Sequence, residues 1–252
     1  MLRSPGRLTQ SVAESSFDAW IKFYRQDENS PNAVVSYYAK GALVALALDL
    51  TLRLHGRASL DDLMRVLWVR HGHPGIGVPE DAIEKLASEL AGVDLADFFA
   101  RYVFGTEDLP LTRLLDEFGV ALHLRAATSP RDRGGKPASG NAPRNSLGAR
   151  IGADLKLTHV FRGGPAGRAG LSAGDTLVAI DGVKATPDLL NALLERPRSG
   201  KALAVHAFRR DELRTFAVEL GAAPTDTAWL SLIGDPSAGA KLRRDEWLGS
   251  SE

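Results

Sequence analysis

The sequence contains no cysteine. Disulfides, thiol nucleophiles and thiolate metal sites are therefore excluded, while the compartment is left open. It also carries no net charge, with 31 basic against 31 acidic residues in 252. A nucleic-acid partner, which would call for a basic surplus, is not expected. Long apolar runs are missing too. The longest, Gly41–Leu48, is bounded by Lys40 and Asp49 and falls far short of the ~20 residues that cross a bilayer, so no membrane span is expected. The opening residues MLRSPGRLTQSVAESS lack the apolar stretch of a signal peptide. No phosphate-binding glycine loop occurs. Global disorder is excluded by what is present: 44% apolar residues, enough to build a core.

Composition divides the chain into three zones, giving an α+β fold class. Residues 1–118 form a helical lobe, rich in Leu, Ala, Asp and Arg from position 17 onward. Residues 119–222 carry short Val-, Ile- and Leu-rich runs between glycines and read as a small β-rich domain. Residues 223–252 form a tail with Trp229 and Trp247, expected to pack on the body. In the helical lobe, Ser30-Pro31 is a start signal for one helix over about Asn32–His55. Its Ala-Leu middle is apolar on every face and predicts a central, buried helix, with Asp49 and Arg53 pairing at i,i+4 on its wet side. Further helices are predicted from the Ser59-x-x-Asp62 cap to about Arg70, from Pro79 to Gly92, from Leu95 to Phe104 and from Pro110 to Phe118. Residues 128–146 have no hydrophobic period and predict a mobile loop.

The most specific motif is Gly163–Asp175, GGPAGRAGLSAGD. Pro165 suits the first position of a short helical turn, Ala166 and Ala169 let that turn lie close to a sheet, and Gly170 suits a left-handed cap. Asp181-Gly182 marks a hairpin turn, Thr186-Pro187 a helix start, and strands follow near 202–208 and 214–220. This order resembles the PDZ domain in its bacterial protease-associated form, over roughly residues 119–222. The resemblance implies binding of a peptide or protein C-terminus as an added strand, its carboxylate held by backbone N–H groups. The matching loop is Leu147-Gly148-Ala149, with Leu147 and Leu193 placed to line the side-chain pocket. Read without the resemblance, both are ordinary core leucines.

Six of the seventeen aromatic residues lie between Phe17 and Tyr38, as expected for core or a groove wall. The segment Gln10–Lys22, then Tyr24, Asp27-Glu28-Asn29 and Ser36-Tyr37-Tyr38-Ala39-Lys40-Gly41, resembles the C-terminal half of the glycyl aminopeptidase family of zinc metallopeptidases. Phe208–Leu213 and Trp247-Leu248 extend the resemblance in the same order. It implies that residues 1–118 are the helical C-terminal part of a thermolysin-like catalytic domain. Tyr-x-Lys-Gly also occurs in the related aminopeptidase N enzymes, and the residue-by-residue carry-over makes Tyr38 the donor to the oxyanion of the tetrahedral intermediate.

The family's zinc motif, His-Glu-x-x-His with a downstream Glu ligand, is absent from this sequence. His71-Gly72-His73 is the one close histidine pair, in a Gly/Pro loop, and Glu14 lies too near Tyr38 to be the third ligand. No metal-ligating residue is therefore assigned, and zinc, the cofactor of the full-length family, is not expected to bind this chain. The expectation is a C-terminal portion of a longer zinc aminopeptidase, inactive alone, whose partner is the missing N-terminal part. The alternative is a stand-alone PDZ-containing adaptor.

Overall fold

The computed structural model describes residues 1–56, 58–140, 142–197 and 200–249. Asn141 of the predicted loop and residues 250–252 of the predicted tail lie outside them. Helix α1 (Val12–Phe17) opens on a reciprocal cap: Ser11 Oγ accepts from the Glu14 N–H at 3.1 Å, and the Ser11 N–H donates to Glu14 Oε2 at 2.9 Å. A π-helical turn, Ala19–Phe23, follows.

The long helix expected from Asn32 is divided. One turn, α2 (Ser30–Ala33), gives way to extended backbone at Val34, and Ser36 then caps α3 (Tyr37–His55) by accepting from the Ala39 N–H at 3.2 Å. The break has a tertiary cause. The Val35 N–H donates to Gln10 Oε1 at 3.1 Å, and its carbonyl accepts from Ser15 Oγ at 2.5 Å. These bonds replace the helical partners that residue would otherwise need. By length and composition, Ser30–His55 is apolar enough to cross a membrane, although Lys40, Asp49 and Arg53 interrupt its apolar run. In this fold the stretch is interrupted, and Ala47, Leu50 and Leu52 are fully buried in the helical core.

Helix α4 (Leu60–Leu67) carries the predicted Ser59/Asp62 capping box and passes into a second π-helical turn, Trp68–Gly72. α5 (Ala82–Ala91) ends on left-handed Gly92, and α6 (Ala96–Tyr102) and α7 (Leu111–Asp116) complete the lobe. Asp49 departs from expectation. It is buried rather than on a wet face: its Oδ2 accepts from Arg53 Nε at 2.9 Å and its Oδ1 from the Leu60 N–H at 2.8 Å. One carboxylate thus ties α3 to the start of α4.

Strand β1 (Val120–Arg125) follows, with Val120 buried in the helical core. The β-rich lobe holds β2 (Asn145–Ser146), β3 (Ala149–Ile151), β4 (Leu157–Val160), the short α8 (Pro165–Arg168), β5 (Thr176–Ile180), β6 (Val183–Lys184), α9 (Pro187–Glu195), β7 (Leu203–Arg209), β8 (Glu212–Val218) and β9 (Gly221–Ala222). Its main sheet is antiparallel in the order β6-β5-β7-β8, beside a β3–β4 hairpin and a β2–β9 pair. Positive φ at Asp181 and Gly182 makes the tight β5–β6 turn that the sequence predicts. Leu157, Ala166, Ala207 and Val218, all fully buried, centre a second core. Asp175 is fully buried beside it. Arg209 Nε and Nη2 donate to its two oxygens at 2.8 Å each, and the Ser172 N–H donates at 2.8 Å.

The tail returns to the helical lobe. β10 (Thr227–Leu232) pairs antiparallel with β1, from Val120↔Leu232 to Arg125↔Thr227. α10 (Ala238–Leu248) brings Trp247 edge-on to Phe118 at 5.6 Å, while Trp229 stacks on His123 at 3.9 Å. Where the sequence predicts only an unperiodic loop, Asp132 forms an anchor. Its carboxylate accepts from the Arg125 guanidinium and from the Thr128 and Gly134 N–H groups, and its carbonyl accepts from Arg3 Nη2.

Candidate functional site

The break before α3 sets up the site. It places Tyr37 and Tyr38 on the first turn, opposite Phe23 and Tyr24 of the π-helical segment and its C-cap. The Tyr24 hydroxyl lies 2.9 Å from each of the Tyr37 and Tyr38 hydroxyls. The Tyr37 and Tyr38 rings sit 4.2 Å apart, with Phe23 5.1 and 6.0 Å from them and Trp20 5.4 Å from Tyr24. Tyr38 is 61% exposed, and Trp20, against Tyr24, is 81% exposed. The shared hydroxyl contacts split the phenols electrostatically. Hydrogen bonding to Tyr24 and Tyr38 holds the Tyr37 proton more tightly than usual, whereas hydrogen bonding to Tyr24 and Tyr37 makes Tyr38 more acidic. A more acidic phenol is a stronger donor toward an oxygen that gains negative charge.

Lys40 of the Tyr-x-Lys-Gly segment has no exposed surface. Its Nζ donates to the Arg7 carbonyl at 3.0 Å, and Arg7 in turn pairs with Asp108 at 2.9 Å. Burial pushes the ammonium pKa down, and nearby Asp108 partly opposes this. Lys40 thus fixes the first turn of α3 to the chain's opening residues, a role the sequence did not disclose. Only its place between Tyr38 and Gly41 could have drawn attention to it.

The second predicted group lies in the β-rich lobe, and the structure does not bring it together with Tyr38. Leu147 is buried in the second core, with Ala149 and Leu193 packed against it. Gly148 has φ +70°, and a Cβ there would stand 2.7 Å from Pro165 Cδ, so only glycine fits. The Gly148 N–H donates to Ser146 Oγ at 3.0 Å, and its carbonyl accepts from the Phe161 N–H at 2.9 Å. Asn145, just before this loop, donates through Nδ2 to the carbonyls of Leu193, Leu194 and Arg196, at the end of α9.

The lobes are joined by Asn32, which sequence reasoning missed. It is nearly fully buried. Its Nδ2 donates to the Val160 carbonyl at 2.8 Å, and its Oδ1 accepts from the Arg162 N–H at 2.8 Å.

Among the described residues, no three His, Asp or Glu side chains stand together as a metal would need. His123 is occupied by Trp229 and Ser231, His159 by Thr158 and His206 by Thr215. Among the described residues, the donor set does not fit a zinc site.

The model of the M61 glycyl aminopeptidase family matches residues 1–44. The chain is 39% identical to an aminopeptidase N family protein from Idiomarina loihiensis, with a TM-score of 0.85 over 98% of this chain and 42% of that one. The chain is thus similar to the glycyl aminopeptidase family of zinc metallopeptidases, by the family model at its start and by this relative along nearly its whole length. It spans 42% of that relative's length. Smaller likenesses are to the HtrA-type protease AlgW with a decapeptide (26% identity, 32% of this chain and 30% of that one) and a serine endoprotease from Yersinia pestis (20%, 32% and 30%). At a TM-score of 0.30 each, neither carries an argument. Among curated proteins, none matches the chain.

Proposed function

We propose that this chain supplies the C-terminal part of a zinc-dependent aminopeptidase: one wall of the catalytic cleft in residues 1–118 and a peptide-binding PDZ domain in residues 119–222. The carrying observation is the Tyr24–Tyr37–Tyr38 hydroxyl cluster, with Tyr38 exposed and acidified on the first turn of α3. In this reading the Tyr38 hydroxyl donates to the carbonyl oxygen of the scissile peptide bond as that oxygen gains charge. Lys40 and Ser36 hold the turn that presents it. The zinc belongs to polypeptide outside this chain, and a small amino-terminal residue such as glycine is the preferred substrate end.

The PDZ assignment rests on the Gly163–Asp175 motif and on the left-handed turn at Gly148. A peptide C-terminus would lie along β3, its carboxylate at Leu147-Gly148-Ala149 and its last side chain between Leu147 and Leu193.

The test is turnover of glycyl-p-nitroanilide. A polypeptide in which a His-Glu-x-x-His segment precedes this chain is expected to release the amino-terminal glycine. The 252-residue chain alone is expected to show no turnover and less than one equivalent of zinc. Turnover by the isolated chain would overturn the proposal.

A further inference from the structure

A cavity of about 230 Å³ lies where the two lobes meet, beside the break that precedes α3. One wall is apolar: Phe23, Pro31, Val34, Val35 and Ala39. The rest carries no carboxylate: Met1, Ser4, Ser30, Ser36, Gln26, Arg7 and, from the β-rich lobe, Arg150. The two guanidinium groups differ. That of Arg7 is neutralised by Asp108, whereas that of Arg150 has no hydrogen-bond or ion-pair partner among the described residues. Its direction follows from strand alternation. Ala149 and Ile151 pack on the β-lobe core, so Arg150 between them faces the other way, toward the helical lobe. The Asn32 clasp on Val160 and Arg162 fixes the hairpin that carries it.

We propose that this interlobe cavity binds the C-terminal carboxylate of a short peptide through Arg150. An unpaired guanidinium can grip a carboxylate with two parallel N–H donors. The cavity is smaller than the ~300–1,000 Å³ of sites for drug-sized ligands, so it suits the end of a peptide of small residues. Phe23 both lines the cavity and stands 6.0 Å from the Tyr38 ring, which places the carboxylate pocket one side chain away from the tyrosine cluster. That the bound peptide is a substrate, and that short peptides are preferred, rests on the Tyr38 reading; carboxylate binding does not.

The experiment is calorimetric titration of the 252-residue chain with triglycine, triglycinamide and acetate, requiring neither zinc nor turnover. Triglycine is expected to bind at least tenfold more tightly than its amide. Arg150→Ala is expected to erase that difference, and Arg150→Lys to keep part of it. Equal binding of acid and amide would overturn the proposal. So would an unchanged preference in Arg150→Ala, which would place the carboxylate elsewhere, as at the Leu147–Ala149 loop. Acetate binding as tightly as triglycine would also overturn it, by showing an adventitious ion only. A thermal melt of each variant reports whether it folds, and nitrogen-15 NMR of the wild-type Arg150 Nε–H, expected to shift with triglycine and not with its amide, decides the case independently of the variants. Because glycyl-p-nitroanilide turnover is measured on the longer polypeptide, this proposal and the aminopeptidase reading fail separately.

Discussion

Replacing Asn32 with alanine should loosen the β-rich lobe from the helical lobe, and the cost can be worked from three contacts. Asn32 Nδ2 donates to the Val160 carbonyl and to Asn29 Oδ1, and Oδ1 accepts from the Arg162 N–H. A neutral hydrogen bond contributes ~0.5–1.5 kcal/mol net, and a desolvated partner left unmatched costs ~1–3 kcal/mol. The Val160 and Arg162 backbone groups are only partly shielded, so water recovers some of that loss. A destabilisation of about 2–3 kcal/mol is expected. With a urea slope of ~1–3 kcal/mol/M for a protein of modest size, the first unfolding transition should move down by roughly 1 M. Asn32→Asp sharpens the prediction. It keeps an acceptor for the Arg162 N–H but loses the donor and sets a carboxylate against the Val160 carbonyl, so it should be at least as damaging. The assay is urea unfolding followed in parallel by tryptophan fluorescence and circular dichroism. A midpoint shift below about 0.2 M in both variants, against the roughly 1 M expected from that slope, would refute the claim that Asn32 joins the lobes.

Two further outcomes test the β-rich lobe. The burial of Asp175 opposes its ionisation, but the hydrogen bonds from Arg209 and from the Ser172 N–H outweigh it and hold its pKa below the usual carboxylate range. Its stabilising contribution is therefore complete above the unfolded value near ~3.9 and is lost as pH falls through the lower, folded value. Asp175→Asn should cost about 2–3 kcal/mol at neutral pH, discounted for the partial exposure of Arg209, and the gap to wild type should close in thermal melts at the acid end; a gap that widens on acidification would contradict this sign. Gly148→Ala combines left-handed backbone with a Cβ 2.7 Å from Pro165 Cδ and 2.8 Å from Gly164 Cα. It should destabilise by about 1–3 kcal/mol, and a melt unchanged from wild type would remove the steric argument.

Local chemistry was readable from the sequence and long-range chemistry was not. The Ser59/Asp62 box, the left-handed Gly92, the Asp181-Gly182 turn and the Thr186 cap on α9 each depend on a few adjacent residues, and each forms where its residue types predict. The break before Tyr37 depends on Gln10 and Ser15 reaching Val35 from another segment, so composition suggested an unbroken helix. Asp49 looked like half of a surface pair because its second partner, the Leu60 N–H, lies eleven residues on. Lys40 and Asn32 were unreadable for the same reason: their partners are the Arg7 carbonyl and the Val160 and Arg162 backbone. Tyr38 was located by family resemblance, and what the structure adds is the pair of neighbouring hydroxyls that tune it.

The most direct measurement is the steady-state kinetics of Tyr38→Phe in the longer, zinc-loaded polypeptide, with zinc content determined on the same preparation. Loss of a donor that acts only as charge develops should lower kcat by ~10²–10³ while KM and zinc occupancy stay near wild type. A fall in kcat of less than about threefold at full zinc occupancy would contradict the role given to Tyr38.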